Sequence, residues 1–336
     1  MKKLLFLMII HIFLSCEKEN TDQTSDHSFH KIDMGQITDM GQITDMGQIT
    51  DMAQDSMVSS NENRPAGVEI CYTPLSSAHE ATTAFWQALK GGQLDVRLDV
   101  IAKLESAAMQ YPNEEEFALL LGMAHLWRFA EPLPDESANF GSLLLSIQKS
   151  RSELERAYAL CPNDHRIAAW LAPILVKGGQ LMNKQEDIDR GMEILEIGIR
   201  AYPSFVLFSK VLLYADLPRM NEDFQLAVDA ISENINACSP NNPVCVNQPK
   251  ASHNMEGSAL FMGDIYVKAG DRTRALNFYQ SALDLESFEH WSFQSVLREK
   301  LEKIDQNLSA YENDEQADDP QAIWSSKIQC SVCHQD

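Results

Sequence analysis

The amino-acid sequence predicts an all-α body of stacked helical hairpins, preceded by a leader and a polar tether and followed by a short cysteine-bearing tail. Three observations lead there. From about Pro74 onward apolar residues recur at spacings of three and four, the period of one helix face, and strand-like alternation is scarce. A proline next to a small polar residue marks each break in that period, as in Tyr111-Pro112-Asn113, Cys161-Pro162-Asn163, Tyr202-Pro203-Ser204 and Ser239-Pro240-Asn241. Between Cys16 and Pro74 the chain is polar and repetitive, with no pattern that would bury a core.

The first element is a leader. Met1-Lys2-Lys3 followed by the apolar run Leu4 to Leu14 has the charged start and short apolar stretch of a secretory signal, and is too short to span a bilayer. It closes on Phe13-Leu14-Ser15-Cys16, which resembles the lipobox of bacterial lipoproteins, with Phe13 where leucine is usual. That resemblance makes residues 1–15 a signal peptide, Cys16 the lipidated amino terminus, and the protein an exported one anchored to a membrane of the cell envelope. An ordinary signal peptide with an incidental cysteine is the competing account.

Residues 16–74 form the tether. Asp33-Met34-Gly35-Gln36-Ile37-Thr38 recurs from Asp39 and from Asp45, then decays at Asp51-Met52-Ala53-Gln54. So few copies of so short a unit build no continuous core, so the segment is expected to be a disordered spacer with an r.m.s. reach of about 40 Å.

Residues 75–311 are the expected helical domain. With 336 residues and 44% hydrophobic composition, the chain is long enough to bury a core without depending on disulfides. Its formal net charge of −22 excludes an electrostatic grip on nucleic acid, whose phosphates draw their affinity from clustered Lys and Arg. Trp86, Trp127, Trp170 and Trp291 fall within the helical periods and are read as core, as is His125. The clearest unit runs from Glu256 to Glu289, where Ala259, Met262, Gly263, Tyr266, Ala275, Tyr279 and Ala282 stand at the signature positions of the tetratricopeptide (TPR) motif of about 34 residues. Ser287 departs from it, standing where proline is usual. Upstream, Leu121-Gly122 and Leu171-Ala172 match the first-helix pair of further, degenerate units. The chain thus resembles TPR proteins over roughly residues 80 to 305, which implies a helical-hairpin solenoid with a concave face that binds peptides or partner proteins. Gly263 and Ala282 would let paired backbones approach while Tyr266 and Tyr279 fill the grooves. Unequal proline spacings require insertions, at Phe129 to Phe140 and at Pro240 to Pro249, and such loops are places where function concentrates.

Residues 312–336 form an acidic linker and a tail that ends in Cys330-Ser331-Val332-Cys333-His334. This matches the haem attachment signal of c-type cytochromes, in which two thiols add to the porphyrin vinyl groups and the adjoining histidine binds the iron. By that resemblance Cys330 and Cys333 would make the thioethers of one covalent haem c and His334 would be an axial ligand, with an electron-transfer role and a redox partner in the envelope. Only Gln335 and Asp336 follow, so any haem must lie against the helical body or a partner. Trp324 and Ile328, spaced one helical turn apart, would cover a porphyrin edge or anchor a terminal helix. Candidates for a second axial ligand are His253, His290 and Met255.

Four other cysteines remain once Cys16, Cys330 and Cys333 are assigned. Cys238 and Cys245 bracket a Pro/Asn loop and suit a local disulfide, while spacing alone leaves the pairing of Cys71 and Cys161 open. The tail lacks the βαβ setting of a thioredoxin-like pair and a nearby fourth ligand for zinc. No Walker loop, dinucleotide fingerprint, nucleophile elbow or metalloprotease helix occurs, so substrate turnover is not indicated. A non-haem TPR adaptor of the cell envelope is the alternative to the haem carrier.

Overall fold

The computed structural model describes residues 71, 75–76, 79–133, 140–237, 254–313 and 319–334. Cys16, the hexapeptide repeats, Cys238, Cys245 and His253 lie outside them. The described residues contain helices and no strand, as the apolar periodicity requires. In chain order the helices are α1 (Glu80–Lys90), α2 (Arg97–Gln110), α3 (Glu115–Ala130), α4 (Phe140–Leu160), α5 (His165–Met182), α6 (Gln185–Ala201), α7 (Pro203–Tyr214), α8 (Glu222–Ala237), α9 (Met255–Ala269), α10 (Arg272–Leu283), α11 (Gln294–Glu302), α12 (Ile304–Ala310) and α13 (Ser331–His334). From α1 to α10 each helix packs mainly on its neighbours in sequence, most extensively in the pairs α3 with α4, α5 with α6 and α9 with α10. None of the described helices is long and apolar enough to cross a membrane.

The helix ends follow from local chemistry. The Asp164, Asn254 and Asp271 side chains accept backbone N–H groups at the starts of α5, α9 and α10, satisfying donors that have no partner within the helix. His79 does the same for α1 with an imidazole nitrogen, accepting from Ala81 N at 3.2 Å. Asn183 and Gly270 close α5 and α9 in the left-handed region, at φ 52° and 85°. The prolines act as expected: α2, α4 and α6 stop at Gln110, Leu160 and Ala201, just ahead of Pro112, Pro162 and Pro203. Pro203 also opens α7, where its missing N–H costs nothing.

The buried side chains form three apolar clusters that merge along the chain. An N-terminal core gathers around Phe85, Leu104, Phe117 and Trp127, a middle core around Leu154, Leu171, Leu195 and Val206, and a C-terminal core around Phe224, Phe261, Tyr266 and Tyr279. Met123 packs on the first two, and Ile199 and Tyr214 on the last two, so the layers are continuous. Small residues set the close approaches. A Cβ on Gly122 would lie 2.7 Å from Leu154 Cγ, and one on Gly263 would lie 2.1 Å from Tyr279 Cε1. The spacing argument for Gly263 therefore holds in detail: the Tyr279 ring occupies the space that a side chain would need.

Cys71 and Cys161 form a disulfide with a Cα–Cα distance of 5.9 Å, a pairing that the spacing could not supply. Beside it Asp164 pairs with Arg166, whose guanidinium also reaches Glu116 Oε2 at 3.3 Å; all three side chains are buried. The body ends in two short helices, α11 and α12, that meet at Lys303.

Candidate functional site

The segment Asp319–His334 packs across the body, and its final turn lies against α1 and α9. Its path is set by a chain of polar anchors. Tyr311 Oη donates to Pro320 O at 3.3 Å, and Lys300 Nζ donates to Gln321 O at 2.6 Å and to Asp264 Oδ2 at 2.9 Å. The same Asp264 carboxylate accepts Ile323 N at 2.9 Å and, through Oδ1, Tyr279 Oη at 2.6 Å. Trp324 and Ile328 then pack on the C-terminal core, Trp324 edge-on to Phe261 with ring centroids 5.9 Å apart. They do not share a helix: Trp324 sits in a single 3-10 turn, Ile323–Ser325, and α13 begins only at Ser331. The expectation of one helical face over residues 324–328 is thereby corrected, because the segment follows anchors on the body and not its own periodicity.

Two fixtures hold the final turn. The first is Glu131, which ends α3 and is buried. Its Oε1 accepts Cys330 N at 2.8 Å and Ser331 N at 2.9 Å, while Oε2 accepts Ser331 Oγ at 2.6 Å and Trp127 Nε1 at 2.9 Å. Four donors on one desolvated carboxylate make a strong, directional clamp. Arg97 braces it: the guanidinium donates to Glu131 O at 2.8 Å and stands 5.3 Å from the centre of the Trp127 ring. The second fixture is the start of α9. Asn254 N donates to Cys333 O at 2.6 Å, and Asn254 Nδ2 to Val332 O at 3.1 Å, while Oδ1 caps the helix by accepting Gly257 N. Gly257 is the seat itself, since a Cβ there would lie 2.2 Å from Val332 O and 2.7 Å from Cys333 Cα.

Within the turn, Cys330 O accepts both Cys333 N and His334 N at 3.1 Å, so one helical turn brings the two thiols and the imidazole together. Cys330 packs against the N-terminal core and keeps part of its surface accessible, whereas Val332 and Cys333 belong to the C-terminal core and His334 is buried. Both thiols are free. Burial, then the Glu131 carboxylate, push the Cys333 thiol up to about 12 and the Cys330 thiol well above its ordinary value. While the turn is docked, neither is the activated thiolate that thiol-exchange chemistry needs.

The other described sequence candidates lie outside the turn itself. His290 is exposed in the 3-10 turn Phe288–His290, and Met255, 47% exposed, stands next to Asn254 at the start of α9. No cluster of three or more His, Cys, Asp or Glu side chains among the described residues is arranged to hold a metal ion. Trp127 is core, as read from the sequence, and is also a member of the clamp. Glu131 and Gly257 were not singled out from the sequence. The one signal for Glu131 was its position inside the Phe129 to Phe140 insertion; for Gly257 there was none, because nothing local requires a glycine early in a helix.

The donor set suits haem c in chemistry and in order: two free thiols and an imidazole on one turn, set between two apolar cores and beside the buried Glu131 carboxylate. Cys330 and Cys333 would hold the porphyrin edge and His334 the iron. The covered state of Cys333 and His334 sets a condition, that the turn be open to whatever is attached.

These features define a class: an all-α protein of sequentially packed helical hairpins that binds its own cysteine-bearing C-terminal segment. Comparison of the chain with protein-family models, with curated proteins and with solved structures gives no match.

Proposed function

We propose that the chain is an exported, lipid-anchored protein of the cell envelope in which a TPR-like solenoid carries one covalent haem c at Cys330, Cys333 and His334, with an electron-transfer or haem-dependent redox role. One observation carries this reading: the two thiols and the imidazole occupy a single turn, and the thiols remain unpaired in a protein that joins Cys71 to Cys161. The disulfide suits the oxidising compartment to which the leader directs the chain. When bound, the haem would supply one-electron chemistry. Before attachment the protein's own residues hold the turn: Glu131 and Asn254 fix its backbone, and Phe261, Trp324 and Ile328 join in the apolar packing next to it.

Expression with its leader in a periplasm that contains haem-maturation enzymes should yield a protein with a Soret band and a haem stain that survives denaturation. Cys330→Ala with Cys333→Ala should abolish both. Colourless protein whose Cys330 and Cys333 are unmodified by mass would end the haem reading.

A second reading, a non-haem adaptor for envelope partners, is favoured by a different observation. The body already holds a segment of turns and one short helix largely through that segment's backbone groups, as a peptide-binding face would. It predicts a colourless protein whose partner binding survives the double cysteine change.

A further inference from the structure

The Glu131 clamp and the Gly257 seat form a site whose occupant is this chain's own C-terminal turn. We propose that the turn is a reversible latch: docked, it ties α3 to α9 and hides Cys333 and His334; released, it exposes both, beside Cys330, to reagents from outside. The inference holds for the haem-free protein and does not rest on the haem reading.

Three observations carry it. The site is built to receive a backbone, since Glu131 accepts Cys330 N and Ser331 N, Asn254 donates to Val332 O and Cys333 O, and Gly257 leaves the room that Val332 O fills. The occupant is marginal alone: α13 spans Ser331–His334, far below the length at which an isolated helix persists in water, so its structure depends on docking. Finally, docking and modification compete for space. Cys333 is 5% exposed and His334 6%, and a group joined to the Cys333 sulfur has no approach while Val332 and Cys333 sit in the C-terminal core. The turn is fixed at two places, Glu131 and the start of α9, and can leave both without unfolding the helix pairs beneath it, which gives the latch its reversibility.

The test is native alkylation of haem-free protein by iodoacetamide, read by mass spectrometry of the peptide that contains Cys330 and Cys333. In the wild type, Cys333 should react at least tenfold more slowly than in the urea-unfolded chain. Gly257→Ala improves the helix former in α9 yet drives a Cβ into Val332 O, so the rate at Cys333 should rise tenfold or more while helical circular dichroism is kept. Glu131→Ala should act in the same direction. Gly178→Ala, at a helical glycine with nothing within 4 Å of the added Cβ, should leave the rate unchanged. Wild-type thiols that react as fast as unfolded ones, or a wild-type rate in Gly257→Ala, would overturn the latch. If Glu131→Ala loses its helical signal, Gly257→Ala decides. A positive latch with no haem, or haem with no latch, remains distinguishable because alkylation and the Soret band are read separately.

Discussion

His125 shows how much one side chain depends on where a helix sets it down. It is 2% exposed, with neither ring nitrogen hydrogen-bonded. Burial, then the nearby Lys149 ammonium, lower its pKa to about 4, against an opposing pull from Glu105, whose carboxylate is 3.9 Å away. The fold thus accepts the neutral ring. An unfolded chain takes up the proton near the ordinary value of 6.5, so the stabilisation is complete above 6.5 and is lost as pH falls toward 4. A shift of this size corresponds to about 3 kcal/mol. Urea unfolding at pH 7 and pH 4 should show His125→Phe losing about 3 kcal/mol less than the wild type over that interval; equal losses would mean that the ring is not the titrating group. Glu131 is the contrasting case. It too is buried, but only Trp127 among its donors is local; the other three belong to residues 199 and 200 positions away.

The helices are where local rules carry furthest. Prolines, capping Asp and Asn, and left-handed Asn183 and Gly270 fall where chain chemistry requires, because a helix end is decided within a few residues. Packing of α9 on α10 was legible for the same reason: Gly263 and Tyr279 lie in one hairpin. An alanine at Gly263 should gain in helix propensity but lose more to the displaced Tyr279 ring, for a net destabilisation of about 1–3 kcal/mol by urea unfolding. Gly178→Ala, with open space around it, should be neutral or stabilising by up to about 1 kcal/mol. Equal effects at the two sites would remove the close-approach argument. The C-terminal segment resists this style of reading. Trp324 and Ile328 have helical spacing, yet the chain there follows Asp264, Lys300 and the apolar face beneath it.

The body as a unit is held by continuous cores and by two long-range ties. The disulfide closes a sequence separation of 90 residues, for which chain entropy alone allows about 4.6 kcal/mol. Cys71→Ala should therefore lower unfolding free energy by about 2–5 kcal/mol, and an unchanged denaturation midpoint would show that the unfolded chain gains nothing from its absence. The second tie is the tail, which brings residues 330–334 between the N-terminal and C-terminal cores.

What the chain decides by itself is the set of interactions with short reach. Apolar spacing settles that the body is helical, capping residues and prolines settle where helices stop, and Cys330-Ser331-Val332-Cys333-His334 settles which thiols and imidazole share one turn. Only tertiary structure decides which cysteine Cys161 meets, that Glu131 clamps Cys330 and Ser331, and that Gly257 is the seat for Val332. These depend on groups far apart in sequence, and closing a loop between them leaves no periodicity or composition in the residues at its ends.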